Sequence, residues 1–188
     1  PEERDDPRVA DPALKEGALL TNVFNRLARS VLYEAKNNFE GNVPLDDPSA
    51  EVVALVHRTL RSYDQLMQKA ELHSVMSIMD EFIRAANKHW ADGIKAAENN
   101  GDESLRRQVL SDSAYLLWAA TMLMHPIVPS GCEEICSYLN FQPESFFSWD
   151  HDFLTLAELA EQGETDHPVR ELPPRTDFFK KHPSQFKK

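Results

Sequence analysis

The chain has little of what marks β-rich, secreted or membrane-spanning proteins. Its 188 residues include six glycines and two cysteines, and runs in which Val, Ile or Thr alternate with polar residues are missing. No apolar stretch approaches the roughly 20 residues that a membrane helix needs. The charged start PEERDDPRVADPALKEG has no apolar centre of the kind found in a signal peptide. These absences predict a helical protein with no membrane partner.

The two cysteines are also too few to organise a fold. Cys132 and Cys136 would lie one turn apart on the same face of a helix. A zinc site needs about four ligands, and a disulfide framework needs more cysteines in a shorter chain. We therefore expect free, buried or half-buried thiols and a cytoplasmic location.

Sequence signatures of a self-contained active site are missing as well. The chain contains no GxGxxG, no GxxxxGKS or GxxxxGKT, and neither HExxH nor CxxC. Its seven histidines are scattered singly. We expect these residues to bind no cofactor and no metal ion, and to catalyse nothing by themselves.

Positive charge is in the minority, because the formal net charge is -11. Taken alone, this value argues against a nucleic-acid binder, since contact with phosphate requires Lys and Arg. The argument concerns an average, however, and local clusters of basic groups decide binding. An acidic remainder keeps a protein soluble and suppresses non-specific binding to RNA.

Hydrophobic periodicity predicts an all-α, up-and-down helix bundle over residues 1–150. The segment AYLLWAATMLM is apolar nearly all round and should lie in the most buried helix. Over residues 151–188 we expect a short helix and an extended, Pro-rich tail that packs back on the bundle through Phe178, Phe179 and Phe186. The predicted helices are Pro12 to Asn38, one from Asp47-Pro48, one from Glu71 that frays near Asp92-Gly93, Glu103 to His125, one from a capping box at Ser130–Glu133, and one from Leu154.

The first helix carries a polar stripe opposite its apolar face. At 100° per residue its members fall within a narrow arc, with Asn25 at the edge. Amides and guanidinium groups hydrogen-bond base edges, Arg and Tyr stack on bases, and Lys and Arg neutralise phosphates. An ordinary solvated helix face is the alternative interpretation. The stripe consists of Asn22, Arg26, Arg29, Tyr33 and Lys36.

The third helix adds two candidates at the border of its apolar stripe. Asn87 and Trp90 lie in the segment IRAANKHWADG. Trp90 is either a packing residue at the edge of the core or a stacking platform for a base, and the spacing alone leaves both open.

Three segments in order resemble one family. LLTNVFNRLARS and the helix end NNFEGNVP resemble the start of the anticodon-binding domain of methionyl-tRNA synthetases, which are class I aminoacyl-tRNA synthetases. AELHSVMSIMDEFIRAANKHW resembles the later helix of that domain, and LLWAATMLMHPIVPSGCEEICSYLNF resembles the helix, turn and short helix that follow. The resemblance covers most of residues 19–141.

The resemblance implies a class I synthetase helix bundle that binds the anticodon of methionine tRNA. The implied partners are tRNA and the catalytic domain of the same protein, which would bind ATP, and not DNA or a membrane. The polar stripe and the border of the third helix supply the candidate anticodon-binding residues, which are Asn22, Asn25, Arg26, Arg29, Tyr33, Asn87 and Trp90.

The chain departs from the family pattern in three places. The interval from Asn25-Arg26 to Phe39 is one helical turn longer, and Thr21 stands where the family has glycine. The stretch ADGIKAAENN lacks the tryptophan that stacks on an anticodon base in the family. Other class I synthetases, for Ile, Val, Leu or Cys, share the bundle, and a helical protein-interaction module remains a third interpretation.

Overall fold

The computed structural model describes residues 17–151, 154–159, 161 and 176–180. The regular elements in these ranges are helices, which confirms the predicted all-α fold. The expected helix start at Pro12 lies outside the described residues. The elements are a π-helix at Leu19–Phe24, α1 (Asn25–Asn38), α2 (Ala50–Gln68), α3 (Leu72–Asn100), α4 (Glu103–Met124), α5 (Pro129–Leu139), α6 (Pro143–Phe146), a 3-10 turn (Trp149–His151) and α7 (Leu156–Leu159).

Helix α4 is the centre of the bundle. Each of its residues from Val109 to Met124 is buried, as its apolar composition on all sides predicts. Helices α1 and α2 both pack against the α3–α4 pair, and α5 packs against α4. None of the helices within the described ranges is both long and apolar enough to cross a membrane.

Helix α3 does not fray near Asp92-Gly93 as expected, but continues to Asn100. Gly93 suits this position because α3 and α4 approach closely there: a Cβ atom would lie 2.7 Å from Cγ2 of Val109. The helix ends instead at Gly101, whose φ of 60° suits a residue without a side chain. An uninterrupted α3 of 29 residues therefore packs against α4.

Helix α2 begins after Ser49 and not at Asp47-Pro48. Hydrogen bonds to α4 set this start. The Ser49 amide donates to Oδ1 of Asp112 at 2.7 Å, and the Ser111 hydroxyl donates to the carbonyl of Pro44 at 2.8 Å. These bonds hold the α1–α2 connection on the surface of α4.

Asp112 is a buried carboxylate that is well supplied with donors. Burial raises its pKa, but the nearby His89 ring and hydrogen bonds from the Ser49 amide and Gln108 outweigh burial and hold the pKa below its ordinary value. Nε2 of His89 is 3.2 Å from Oδ2, and Nε2 of Gln108 is 3.1 Å from Oδ1. The carboxylate is therefore charged in the folded protein at neutral pH.

Helix α5 begins at Pro129, one residue before the predicted cap. No side chain caps this helix, so the capping box at Ser130–Glu133 does not form. Proline suits the first helical position because its φ is already helical and its missing N–H would have no partner there. The start at Pro129 brings Gly131 to the side of the bundle where the C-terminal part of the chain returns.

Residues 176–180, which we call the tail segment, lie against the π-helix and α5. Phe178 and Phe179 are buried. The ring of Phe179 stacks on Phe24 with centroids 5.0 Å apart, and Phe178 meets Tyr138 edge-on at 5.7 Å. A Cβ atom at Gly131 would lie 2.3 Å from Cε1 of Phe179, so this glycine makes room for the ring. Phe186, the third phenylalanine of the predicted tail, lies outside the described residues.

Candidate nucleic-acid interface

Two asparagine–arginine pairs lie at the start of the first helix. Asn22 and Arg26 form one pair, and Asn25 and Arg29 form the other. In each pair the two residues are four positions apart and project from one side of the helix. The pairs are offset by three positions, so they occupy neighbouring faces. We call them the outer pair and the inner pair.

The outer pair faces solvent. Asn22 and Arg26 are both exposed, and neither side chain has a hydrogen bond or ion pair within the described part of the chain. An asparagine amide offers one acceptor and two donor hydrogens, and an arginine offers a planar fork of five donors. The outer pair therefore presents a group of unsatisfied donors and an acceptor that a ligand can reach.

Asn25 of the inner pair is inside the protein and not on the surface. Its side chain is 0% exposed. Its Nδ2 donates to the carbonyl of Phe179 at 2.9 Å and to the carbonyl of Thr21 at 3.1 Å. The Phe179 amide donates back to Oδ1 at 3.0 Å. We call these two reciprocal bonds to Phe179 the Asn25 clamp.

The clamp corrects the expectation that Asn25 contacts RNA. The backbone of Phe179 is buried with its ring and needs a hydrogen-bond partner, because an unpaired buried amide or carbonyl costs about 1–3 kcal/mol. Asn25 supplies that partner through both ends of its amide. In this structure it fixes the tail segment and has nothing to offer a base.

Arg29 is partly engaged by the tail segment. Its Nη1 donates to Oδ1 of Asp177 at 2.7 Å and makes a longer bond of 3.4 Å to the carbonyl of Thr176. The Arg29 side chain is 31% exposed. No other hydrogen bond to its guanidinium occurs within the described residues, so Nε and Nη2 keep their donors for a ligand.

The remaining members of the stripe lie further along α1. Tyr33 is half-buried against the core, and Lys36 is exposed. Glu34, the acid between them, turns away toward α4, where its carboxylate accepts a 2.6 Å bond from Arg106. This pairing balances the negative charge of Glu34 close to the stripe.

Trp90 packs in the core and is 8% exposed. It continues the apolar stripe of α3 through Phe82 and Ala86, so the packing interpretation holds and the ring is closed to a base. Asn87 is half-buried, and its Oδ1 is buried without a hydrogen-bond partner in the described part of the chain. Neither residue joins the outer pair on an open surface.

Trp149 is an exposed ring that sequence reasoning missed. It is 43% exposed and stacks on Tyr63 with centroids 5.7 Å apart. Its position in a short 3-10 turn gives no periodic signal. A tryptophan among polar neighbours, in SWDHD, was the available indication.

The candidate metal ligands are not assembled into a site. Cys132 and Cys136 are free and buried, as expected. Burial raises the pKa of both thiols, that of Cys136 to about 12, so both are protonated and poor ligands at neutral pH. Among the described residues, no group of three or more His, Cys, Asp or Glu side chains is placed to hold a metal ion.

No protein-family model and no curated protein sequence matches the chain. Solved structures do match it. The apo form of Mycobacterium tuberculosis methionyl-tRNA synthetase has a TM-score of 0.71 at 19% identity, over 92% of this chain and 35% of that one. The same enzyme bound by methionyl-adenylate has a TM-score of 0.71 at 21% identity, over 90% and 34%.

The comparison establishes the fold. The chain has the fold of a part of methionyl-tRNA synthetase, as the resemblance in sequence implied. It spans about a third of the length of the enzymes that it matches. At this level of identity the match does not extend to individual residues.

Proposed function

We propose that the chain reads a tRNA anticodon as the helical domain of a methionine–tRNA ligase, the enzyme that attaches methionine to tRNA with ATP. The shared fold with methionyl-tRNA synthetase supports the type of domain. The outer pair supports the role, because Asn22 and Arg26 are exposed on the first helix with no partner among the described residues. That exposed pair is the observation on which the proposal rests.

The chemistry of the outer pair suits one unstacked base. Single-stranded loops are read through hydrogen bonds to the Watson–Crick edges of splayed bases. Asn22 offers an acceptor and donors, and Arg26 offers a rigid fork of donors. By resemblance, the base is the first of the anticodon, a cytosine.

The acidic net charge is compatible with this role. Arg26 has no carboxylate partner within the described residues, and Lys36 of the stripe and Lys180 of the tail segment are exposed. A local basic surface within an acidic chain favours RNA at that surface and repels it elsewhere.

Catalysis in the proposed enzyme belongs to a domain beyond these residues. The phosphate-binding signatures named above are missing from the sequence. We expect the chain alone neither to activate methionine nor to charge tRNA. Methionine-dependent pyrophosphate exchange by the purified chain would contradict this expectation.

The proposal is tested by measuring RNA binding by the chain. The probe is an RNA hairpin whose loop carries the anticodon CAU, and the comparison hairpin has G as the first anticodon base. Arg26→Ala should reduce discrimination between the two by about 1–3 kcal/mol. The matched control is Arg61→Ala, which removes an exposed arginine from α2 and should leave discrimination unchanged.

Salt dependence separates the proposal from its alternatives. Binding through phosphate contacts weakens steeply as salt rises. If the chain does not bind the CAU hairpin even at low salt, the proposal fails and the protein-interaction module becomes the better interpretation. If it prefers a hairpin with another anticodon, the methionine assignment fails.

A further inference from the structure

We infer that the tail segment is a built-in part of the RNA-binding surface, in which Asp177 positions the guanidinium of Arg29 beside the outer pair. This inference rests on the proposed function. Asp177 lies two residues before Phe179, so the clamp and the Phe179 stack hold the backbone from which its side chain, 54% exposed, extends. The carboxylate then holds Nη1 of Arg29 at 2.7 Å.

The segment that carries Asp177 is held by the buried contacts of Phe179 and not by the surface ion pair between Asp177 and Arg29. Phe179 is 7% exposed and stacks on Phe24. Its backbone is held at both polar atoms by Asn25, which is 0% exposed. A carboxylate on a fixed backbone binds its partner at a lower entropic cost than a carboxylate on a mobile loop.

Holding one nitrogen of Arg29 leaves the rest of the fork available. The bonds to the tail segment use Nη1 alone, and the side chain is 31% exposed. An arginine side chain samples many rotamers in solution and loses this conformational entropy when it binds a ligand. Fixing one rotamer beforehand removes that entropy loss from the binding step. Arg29 is thereby prepared to donate from Nε and Nη2.

The geometry fits a tail segment that stays in place as part of the RNA-binding surface better than one that RNA displaces. If RNA displaced the tail segment, two phenylalanine rings would enter water, and Asn25 would lose both bonds to Phe179. Gly131 leaves room for the ring of Phe179, because a Cβ atom at this position would lie 2.3 Å from Cε1 of the ring. Lys180, the next residue, is exposed and adds a positive charge to the tail segment.

The test is a double-mutant cycle in the full chain with the CAU hairpin. Asp177→Ala should weaken binding by roughly threefold to tenfold, the range of one oriented, charged contact. In an Arg29→Ala background the same change should have no further effect, because Asp177 acts through Arg29. Asp177→Glu should restore part of the loss.

The matched control is Asp92→Ala, which removes an equally charged, exposed carboxylate from α3. It corrects for the stronger RNA binding that any loss of negative charge produces. Circular dichroism melting of each variant shows whether it is folded. Should Asp177→Ala fail to fold, Asp177→Asn replaces it, since it removes the charge and keeps an acceptor.

Three results would overturn the inference. Tighter binding by Asp177→Ala than by Asp92→Ala would mean that the tail segment covers the surface. An equal loss with and without Arg29 would mean that Asp177 does not act through it, and unchanged binding would mean no role. If Arg26→Ala still reduces discrimination in these cases, the proposed function holds without the inference. If the chain binds no hairpin, both the proposed function and the inference fail.

Discussion

The outer pair and the inner pair of the first helix contain the same two residue types at the same spacing, in surroundings that differ completely. Asn22 and Arg26 are exposed to solvent, whereas Asn25 is buried and Arg29 is held by Asp177. Residue type and spacing determine which chemical groups a pair is able to bind. A segment about 150 residues away decides which of the two pairs is free to do so.

The comparison also separates stability from recognition. The inner pair works with the tail segment, whose two buried rings contribute roughly 3–6 kcal/mol together at the usual value for a phenylalanine. The outer pair has no hydrogen bond or ion pair to lose among the residues that the structure describes. We therefore expect substitutions at Asn25 and at its anchor Phe179 to change folding first, and substitutions at the outer pair to change binding alone.

The largest effect is expected for the anchor itself. Phe179→Ala removes a buried ring from its seat on Phe24 and should lower the free energy of unfolding by roughly 3–5 kcal/mol, measured by urea denaturation. The control is Leu72→Ala, since Leu72 is a large apolar residue that is 59% exposed. Equal and small losses in both variants would show that the tail segment contributes nothing to the fold.

The clamp should give the next largest effect. Asn25→Ala leaves the buried amide and carbonyl of Phe179 without their partner, at a cost of roughly 2–4 kcal/mol for the two groups. Asn22→Ala, three residues earlier, should remain within about 0.5 kcal/mol of the parent. Similar melting temperatures for the two variants would contradict the distinction between inner and outer pairs.

Acid titration distinguishes the clamp from the other buried polar anchor. The clamp contains an amide and backbone groups, so its contribution should not change with pH. The pKa of Asp112 is lowered by its hydrogen bonds. Its stabilising effect is therefore complete above the unfolded value of about 3.9 and is lost as the pH falls through the lower folded value.

Asp112→Asn should lower the free energy of unfolding by about 1.5 kcal/mol at neutral pH, the worth of a hydrogen bond to a charged group. The difference from the parent should shrink below pH 4. The loss caused by Asn25→Ala should be the same at both pH values. If the pH profile of Asp112→Asn runs parallel to that of the parent, the carboxylate is not the acid-sensitive group.

The smallest change in stability is expected for the arginines. Arg29→Ala removes a partly exposed ion pair, which is worth about 0–1 kcal/mol, and Arg26→Ala removes none. In RNA binding we expect Arg26→Ala to reduce discrimination and Arg29→Ala to weaken binding to all hairpins and flatten its salt dependence. A variant with the opposite pattern would exchange the roles assigned to the two residues.

Hydrophobic periodicity was sufficient to predict the helices, and the apolar composition of α4 was sufficient to predict that it is the central one. The resemblance to methionyl-tRNA synthetases predicted the fold, which the solved structures confirm. It did so at an identity near 20%, because a bundle tolerates substitution wherever apolar spacing is kept. The expected fraying of α3 does not occur, because Gly93 lies against Val109 within a continuous helix, and this long-range contact has no signature in the sequence.

The interior role of Asn25 could not be predicted. Helical spacing places it at the edge of the polar stripe, and local arguments then treat it as exposed. The partner that draws it inside is the backbone of Phe179, which has no signature in the sequence. The spacing left two interpretations of Trp90 open, and its burial at the end of the apolar stripe of α3 favours packing. The RNA-binding role of Arg26 stays a prediction.

The Asn25 clamp has a consequence for the synthesis of the protein. Its two partners are 154 positions apart, so the first helix leaves the ribosome long before the residue that completes its surroundings. Until Phe179 emerges, a nascent chain presents the bare ring of Phe24, the open notch at Gly131 and an unmatched amide on Asn25. We expect chains that terminate before Phe179 to leave this apolar notch uncovered, and incompletely folded chains are the ones that chaperones and proteases remove.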